Sequence, residues 1–81
     1  MTPSNEGLRY AYESFLGIEA PLDLDLGSLE ITVEDKFLRR PDYSDISDKE
    51  RTDMAKGISA VIISIAKDYD KDYESFFGGK V

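Results

Sequence analysis

Apolar residues recur at helical spacing near both ends of the chain and alternate with polar ones in between. Leu8, Ala11, Tyr12, Phe15 and Leu16 follow the i, i+3, i+4, i+7, i+8 steps of one helical face. This predicts a first helix that starts at Thr2 or Ser4 and runs to about Leu16. Thr2 can cap the orphan backbone N–H groups, and Pro3 suits the first helical position. Gly17 is a natural stop, because glycine adopts the left-handed C-terminal conformation without a Cβ clash.

Residues 21–33 read as a β-hairpin. Leu22, Leu24 and Leu26 alternate with Asp23 and Asp25, and Leu29, Ile31 and Val33 alternate with Glu30 and Thr32. Gly27-Ser28 between them matches a two-residue turn with glycine first. In that register Leu26 faces Leu29, Leu24 faces Ile31 and Leu22 faces Val33, so all six apolar residues fall on one side. A rival reading makes residues 28–40 a helix, capped by Ser28 and ended by Pro41, with Leu29, Val33 and Phe37 on one face. A compromise ends the second strand near Val33 and gives Phe37 and Leu38 to a short helical turn.

After a loop over residues 41–46, Ser47-Asp48-Lys49-Glu50 has the capping-box pattern of a helix start. Met54, Ile58, Val61, Ile62, Ile65, Tyr69, Tyr73 and Phe76 then step by threes and fours up to Gly78-Gly79. A continuous helix there would be ~45 Å long at ~1.5 Å per residue. The architecture expected from these elements is α+β: an N-terminal helix and a two-stranded antiparallel hairpin packed on a long C-terminal helix. The alternative is an all-α small bundle.

At 81 residues the chain fits a single small domain. Domains this small bury only ~60% of the surface their unfolded chains expose, so the core is thin. There is no cysteine or histidine to supply a disulfide, thiolate or imidazole staple. Oligomerisation, a partner or one well-packed element must serve instead. Residues 57–66 of the long helix are uncharged, and their apolar side chains cover more than half of its circumference. Gly57, Ala60 and Ser64 make a strip on which another backbone could approach. With Val61 and Ile62 they are the candidate oligomer interface; the plain alternative is a central core helix wrapped by the other elements.

Charge narrows the possible partners. Acids outnumber bases by 17 to 10, for a formal net charge of −7. Direct nucleic-acid binding is not expected of such a chain, nor is binding to anionic membranes. No stretch approaches the ~20 apolar residues of a membrane span. Residues 1–6 lack the basic and apolar regions of a secretory signal. With no cysteine, the expectation is a cytoplasmic protein.

The acids are grouped at some cost. Asp68, Asp70, Asp72 and Glu74 lie near a helix C-terminus, where the dipole disfavours negative charge. Asp68/Asp72 and Asp70/Glu74 are also repulsive i, i+4 pairs, offset only in part by Lys67 and Lys71. A helix break near Asp68, or simple solvation of that face, would account for them without function. Asp23, Asp25 and Glu30, with Glu34 just beyond, form a second group on the outer face of the expected hairpin, with Asp25 opposite Glu30. Charged edge strands that block aggregation are the plain explanation there.

Other chemistry has weaker support. Asp68-x-Asp70-x-Asp72 imitates the start of a calcium loop, but Tyr73 and Gly79 stand where glycine and glutamate belong. No metal or other cofactor is expected. Without His or Cys, and without a phosphate-binding glycine loop, catalysis is not expected. Arg39, Arg40, Pro41 and Tyr43 make the one locally basic spot, which reads most simply as a solvated loop. The expected function is an acidic protein-binding module that occupies a basic surface of another macromolecule, as an inhibitor, neutraliser or adaptor. Mimicry of a nucleic-acid backbone is one version of it. In this reading the acids steer encounter, and Tyr69, Tyr73, Phe76 and Phe77 anchor. The alternative is a self-assembling structural or scaffold protein that uses the 57–66 helix face.

Overall fold

The structure, a computed structural model, describes residues 2–73, and all regular structure among them is helical. Helix α1 spans Asn5–Leu16, α2 spans Leu29–Lys36 and α3 spans Asp48–Tyr73. Two short 3₁₀ turns, Leu26–Ser28 and Pro41–Tyr43, precede α2 and α3. The fold is a small helical bundle in place of the expected α+β arrangement, with α1 and α2 both packed on α3.

The ends of α1 follow from local chemistry. Ser4 is its cap, with Oγ accepting the Gly7 N–H at 3.0 Å. At the other end Gly17 adopts φ 73°, and its N–H reaches the Glu13 carbonyl. Beyond it, two α1 side chains hold the connection. The Arg9 guanidinium donates to the carbonyls of Ala20 and Pro21, and the Ala20 N–H donates to Glu13 Oε2 at 2.9 Å. Ala20 and Leu24 are thereby fixed into the core.

Residues 21–36 overturn the hairpin. Asp25 and Ser28 cap each other: the Ser28 N–H donates to Asp25 Oδ1 at 2.8 Å, and the Asp25 N–H to Ser28 Oγ at 3.2 Å. This reciprocal cap starts a helical turn where a β-turn was expected. Ser28, committed to Asp25, makes no side-chain cap for α2. Leu29 and Val33, four residues apart, are both buried, and Leu38 follows. Of the other apolar residues that the hairpin would have placed on that face, Leu24 reaches the core, but Leu22 is 96% exposed and Ile31 65% exposed. A lone two-stranded hairpin leaves both edges unpaired, whereas a helix satisfies its backbone within itself. Helix α2 also stops at Lys36, short of Pro41, which instead opens the second 3₁₀ turn.

Helix α3 runs without interruption through Asp68 to Tyr73, which excludes the break considered there. At ~1.5 Å per residue it is ~39 Å long, and the molecule is elongated at 52 × 20 × 18 Å. Its start is a full capping box: the Glu50 N–H donates to Ser47 Oγ at 3.1 Å, and the Ser47 N–H to Glu50 Oε1 at 2.9 Å. The Ser47 N–H bond to the carboxylate, and then the Ser47 side chain, also lower the Glu50 pKa from its ordinary value.

The seam that α3 turns inward is Arg51, Ala55, Ser59, Ile62 and Ala66. These residues repeat by fours and threes, so they line one stripe. Mostly small, they let α1 and α2 approach closely, and the larger Met54, Ile58, Ile63 and Ile65 close the flanks. From α1 come Leu8, Ala11, Tyr12 and Leu16. Phe15, expected on that face, is 47% exposed. Arg51 ties the loop before α3, donating from Nε to the Leu38 carbonyl at 3.1 Å and from Nη1 to Asp48 at 2.8 Å.

Candidate functional site

The most distinctive surface lies where the start of α1 meets the end of α3. The two helices run antiparallel there, because Ser4 and Gly7 of α1 lie against Asp70 and Ala66 of α3. Gly7 sets the separation: a methyl group at that position would sit 3.0 Å from the Ala66 carbonyl oxygen and 2.5 Å from Asp70 Oδ1. Asp70 accepts the Ser4 N–H on Oδ2 at 2.7 Å and the Ser4 hydroxyl on Oδ1 at 2.6 Å. Close approach of the helices brings Tyr10 of α1 onto Tyr69 of α3, with ring centroids 4.7 Å apart and planes 29° from parallel. Tyr73 extends the stack, its centroid 6.3 Å from that of Tyr69.

The central ring is fixed at its polar end as well. The Tyr69 hydroxyl donates to Glu6 Oε2 at 3.3 Å. Its pKa lies above the usual 10.0, first through desolvation and then through the charge and hydrogen bond of Glu6 and the proximity of Tyr73 and Asp70. Tyr69 is therefore a neutral donor at physiological pH. Tyr10 and Tyr73 are each 51% exposed. The result is an aromatic surface on a rigid two-helix seam, bordered by carboxylates. Glu6, Asp68, Asp70 and Asp72 have no ion-pair partner among the described residues: the three ion pairs there are Arg39–Asp35, Lys49–Asp53 and Arg51–Asp48.

The acids expected to act together are divided by the helix. Asp68 and Asp72 share an exposed side of α3, while Asp70, ~200° round from Asp68, faces α1 and is structural. Glu74 lies outside the described residues, as do Phe76 and Phe77. Asp23, Asp25, Glu30 and Glu34 do not form a sheet face. Asp23 is in a turn, Asp25 caps the 3₁₀ turn, and Glu30 and Glu34 are on α2. Among the described residues no group of three or more acids is arranged to hold a metal ion, and Asp68-x-Asp70-x-Asp72 is regular helix where a calcium site needs a loop.

Of the candidate oligomer residues, Gly57, Ala60, Val61 and Ser64 lie together on the exposed side of α3, with Val61 42% exposed. Ile62 is wholly buried among α1 and α2 side chains and cannot meet a second molecule in the folded chain. A close backbone approach does occur at a small residue, but on the inner seam, where Ala66 meets Gly7 of α1. The sequence reading missed Tyr10, Glu6 and Gly7, and named Ser4 only as a possible start of α1. One local signal was present: Tyr10 falls off the apolar stripe of α1, four residues after Glu6, so its ring shares a face with a carboxylate.

No protein-family model, curated protein or solved structure matches the chain. Among the described residues no helix is long and apolar enough to cross a membrane.

Proposed function

We propose that the chain is a non-catalytic binding module that docks on a basic surface of another protein through the α1–α3 seam. The observation that carries this reading is the Tyr10–Tyr69–Tyr73 stack, half-exposed and bordered by acids that form no ion pair among the described residues. Aromatic rings held rigid are effective anchors, because little conformational freedom is left to lose on binding. A net charge of −7 favours fast encounter with a basic partner and disfavours acidic ones. Inhibition, neutralisation and adaptor roles all use this mode of docking.

The test is affinity capture with two baits, wild type and the Glu6→Lys, Asp68→Lys, Asp72→Lys triple variant, followed by titration of the purified captured pair against salt. Asp70 is left intact because it holds α1 to α3. A partner retained by wild type, lost by the variant and bound more weakly as salt rises supports the reading. A partner that holds both baits equally, at every salt concentration, overturns it.

Self-association is the second reading, favoured by the exposure of Gly57, Ala60, Val61 and Ser64 as one uncharged strip on α3. Val61→Asp is the suitable variant, since that side chain is 42% exposed and the change leaves the core intact. Light scattering that finds a salt-insensitive dimer, dissociated by Val61→Asp, supports this reading. A monomer at low and high salt removes it.

A further inference from the structure

We infer that the outer face of Tyr10 is a docking site for an arginine side chain of an extended basic peptide segment, with Glu6 as the carboxylate that receives its guanidinium. This rests on the reading of the chain as a module for basic partners and names the group that the seam selects. One face of the Tyr10 ring is covered by Tyr69 at 4.7 Å, and the residue is still 51% exposed, so the opposite face is open to solvent. The ring is held in place by the stack beneath it and by the close helix approach at Gly7. A cation above such a face is attracted by the ring quadrupole, and arginine stacks on it more readily than lysine because the guanidinium is planar and weakly hydrated.

Glu6 stands one helical turn before Tyr10, on the same side of α1. Tyr69 uses Oε2 of its carboxylate and so fixes its direction, while a carboxylate offers further acceptor sites to a guanidinium lying over the neighbouring ring. Glu6 and Asp70 border this region, Asp70 bound to Ser4, while the nearest cation of α1, Arg9, is turned away to the Ala20 and Pro21 carbonyls beside Glu13. The same chain shows the pairing within its own fold, where the Arg40 guanidinium lies 4.3 Å from the centroid of Phe37. A lysine ammonium would satisfy the charge but could not stack and bridge at once.

The test uses the full chain and two synthetic peptides of equal charge, Gly-Arg-Gly-Gly-Arg-Gly and its lysine counterpart, titrated at low ionic strength and followed by backbone and aromatic NMR shifts. The arginine peptide should bind about fivefold tighter, with the largest shifts at Glu6, Tyr10 and Tyr69. Tyr10→Leu should remove that preference while leaving weak, salt-sensitive binding of both peptides, and Phe15→Leu should leave the preference intact. Glu6→Gln should lower affinity for the arginine peptide with the far-UV circular dichroism unchanged, so that a loss is not mistaken for unfolding. Equal binding of the two peptides overturns the arginine site and leaves the acidic-surface reading standing. If neither peptide binds in a salt-sensitive way, both readings are overturned.

Discussion

Asp70 lies 66 residues beyond Ser4 in the chain, yet its carboxylate takes both polar hydrogens of that residue, the backbone N–H at 2.7 Å and the hydroxyl at 2.6 Å. The same hydroxyl oxygen accepts the Gly7 N–H, so Asp70 completes the cap of α1. An acid in the last turn of α3 is unfavourable for α3 alone. Antiparallel packing moves it to the positive end of another helix dipole, where an anion is stabilising. The structural cost expected of this acid is thus offset in the folded chain.

Asp70→Ala should therefore destabilise the protein by roughly 1–2 kcal/mol, the scale of charge-assisted hydrogen bonds discounted for exposure. Asp68→Ala should be neutral or stabilising by up to ~0.5 kcal/mol, because it relieves the i, i+4 repulsion with Asp72. Urea denaturation of the two variants beside wild type measures the contrast. Equal effects would show that the Ser4 clasp contributes nothing to stability.

Two glycines should respond in opposite directions. In a helix interior alanine is favoured over glycine by about 1 kcal/mol. At Gly57 a new Cβ meets nothing within 4 Å, so Gly57→Ala should gain about 0.5–1 kcal/mol. At Gly7 the new Cβ meets the Ala66 carbonyl at 3.0 Å and Asp70 Oδ1 at 2.5 Å. The carboxylate can turn aside only by releasing Ser4, and the carbonyl belongs to a helix backbone. Overpacking of ~1–3 kcal/mol then outweighs the propensity gain, and Gly7→Ala should lower the urea midpoint. It should also weaken the Tyr10–Tyr69 contact, visible as altered aromatic ring shifts.

What could be read from the sequence was the chemistry that closes over short distances. Ser47 and Glu50 announce the start of α3 because both halves of the cap are within one turn, and Gly17 marks the end of α1 for a similar reason. The middle of the chain could not be read that way. Leu22, Leu24, Leu26, Leu29, Ile31 and Val33 satisfy a period of two, while Leu29 and Val33 also satisfy a helical spacing, and so short a run does not separate the two. The deciding signal was Asp25 three residues before Ser28, a reciprocal cap that the Gly27-Ser28 turn reading obscured. The aromatic stack depends on the register of α1 against α3, so Tyr69 and Tyr73 could be suspected as anchors but Tyr10 could not. Ile62 and Val61 are neighbours in one apolar run, and only the placement of α1 and α2 puts the first inside and the second outside.

Two buried hydroxyls, Tyr12 Oη and Ser59 Oγ, have no hydrogen-bond partner among the described residues. An unmet buried hydroxyl costs about 1–3 kcal/mol, and alanine is also the better helix former. Ser59→Ala should raise stability by about 0.5–1 kcal/mol, and Tyr12→Phe should be neutral or stabilising near pH 7. Thermal melts of both variants check this, and a clear loss from Ser59→Ala would point to a hydrogen bond that the hydroxyl makes in solution.

Alkaline pH probes the tyrosines from another side. Burial raises the Tyr12 pKa, and desolvation with Glu6 raises that of Tyr69, both from an ordinary value of 10.0. Above pH 10 the unfolded chain has lost these protons while the folded chain still holds them, so the unfolded state binds fewer protons and stability falls as pH rises. The contribution is fully present below pH 10 and disappears as pH climbs through the raised folded values. Urea midpoints between pH 8 and ~11.5 should therefore decline in wild type, and less steeply in Tyr12→Phe and in Tyr69→Phe. Parallel curves for all three would mean that neither hydroxyl is shielded in the folded state.

Arg51 is the test of how α2 is held. Its side chain is only 10% exposed, and it donates to the Leu38 carbonyl, to Asp48 and, at 3.5 Å, to the Ile46 carbonyl. A guanidinium makes these bonds from three nitrogens in a fixed plane, which a lysine ammonium cannot reproduce. Removing it leaves a buried carbonyl unpaired at the end of α2, so Arg51→Ala should cost about 2–3 kcal/mol. Arg51→Lys should recover less than half of that loss, because it restores the charge near Asp48 but not the bond to Leu38. Hydrogen exchange separates a local effect from a global one. Amides of α2 and of residues 37–47 should lose protection before those of α1 and the centre of α3, since Arg51 bridges only the former to the helix they pack on. Uniform loss along the chain would instead make Arg51 a general support of the core.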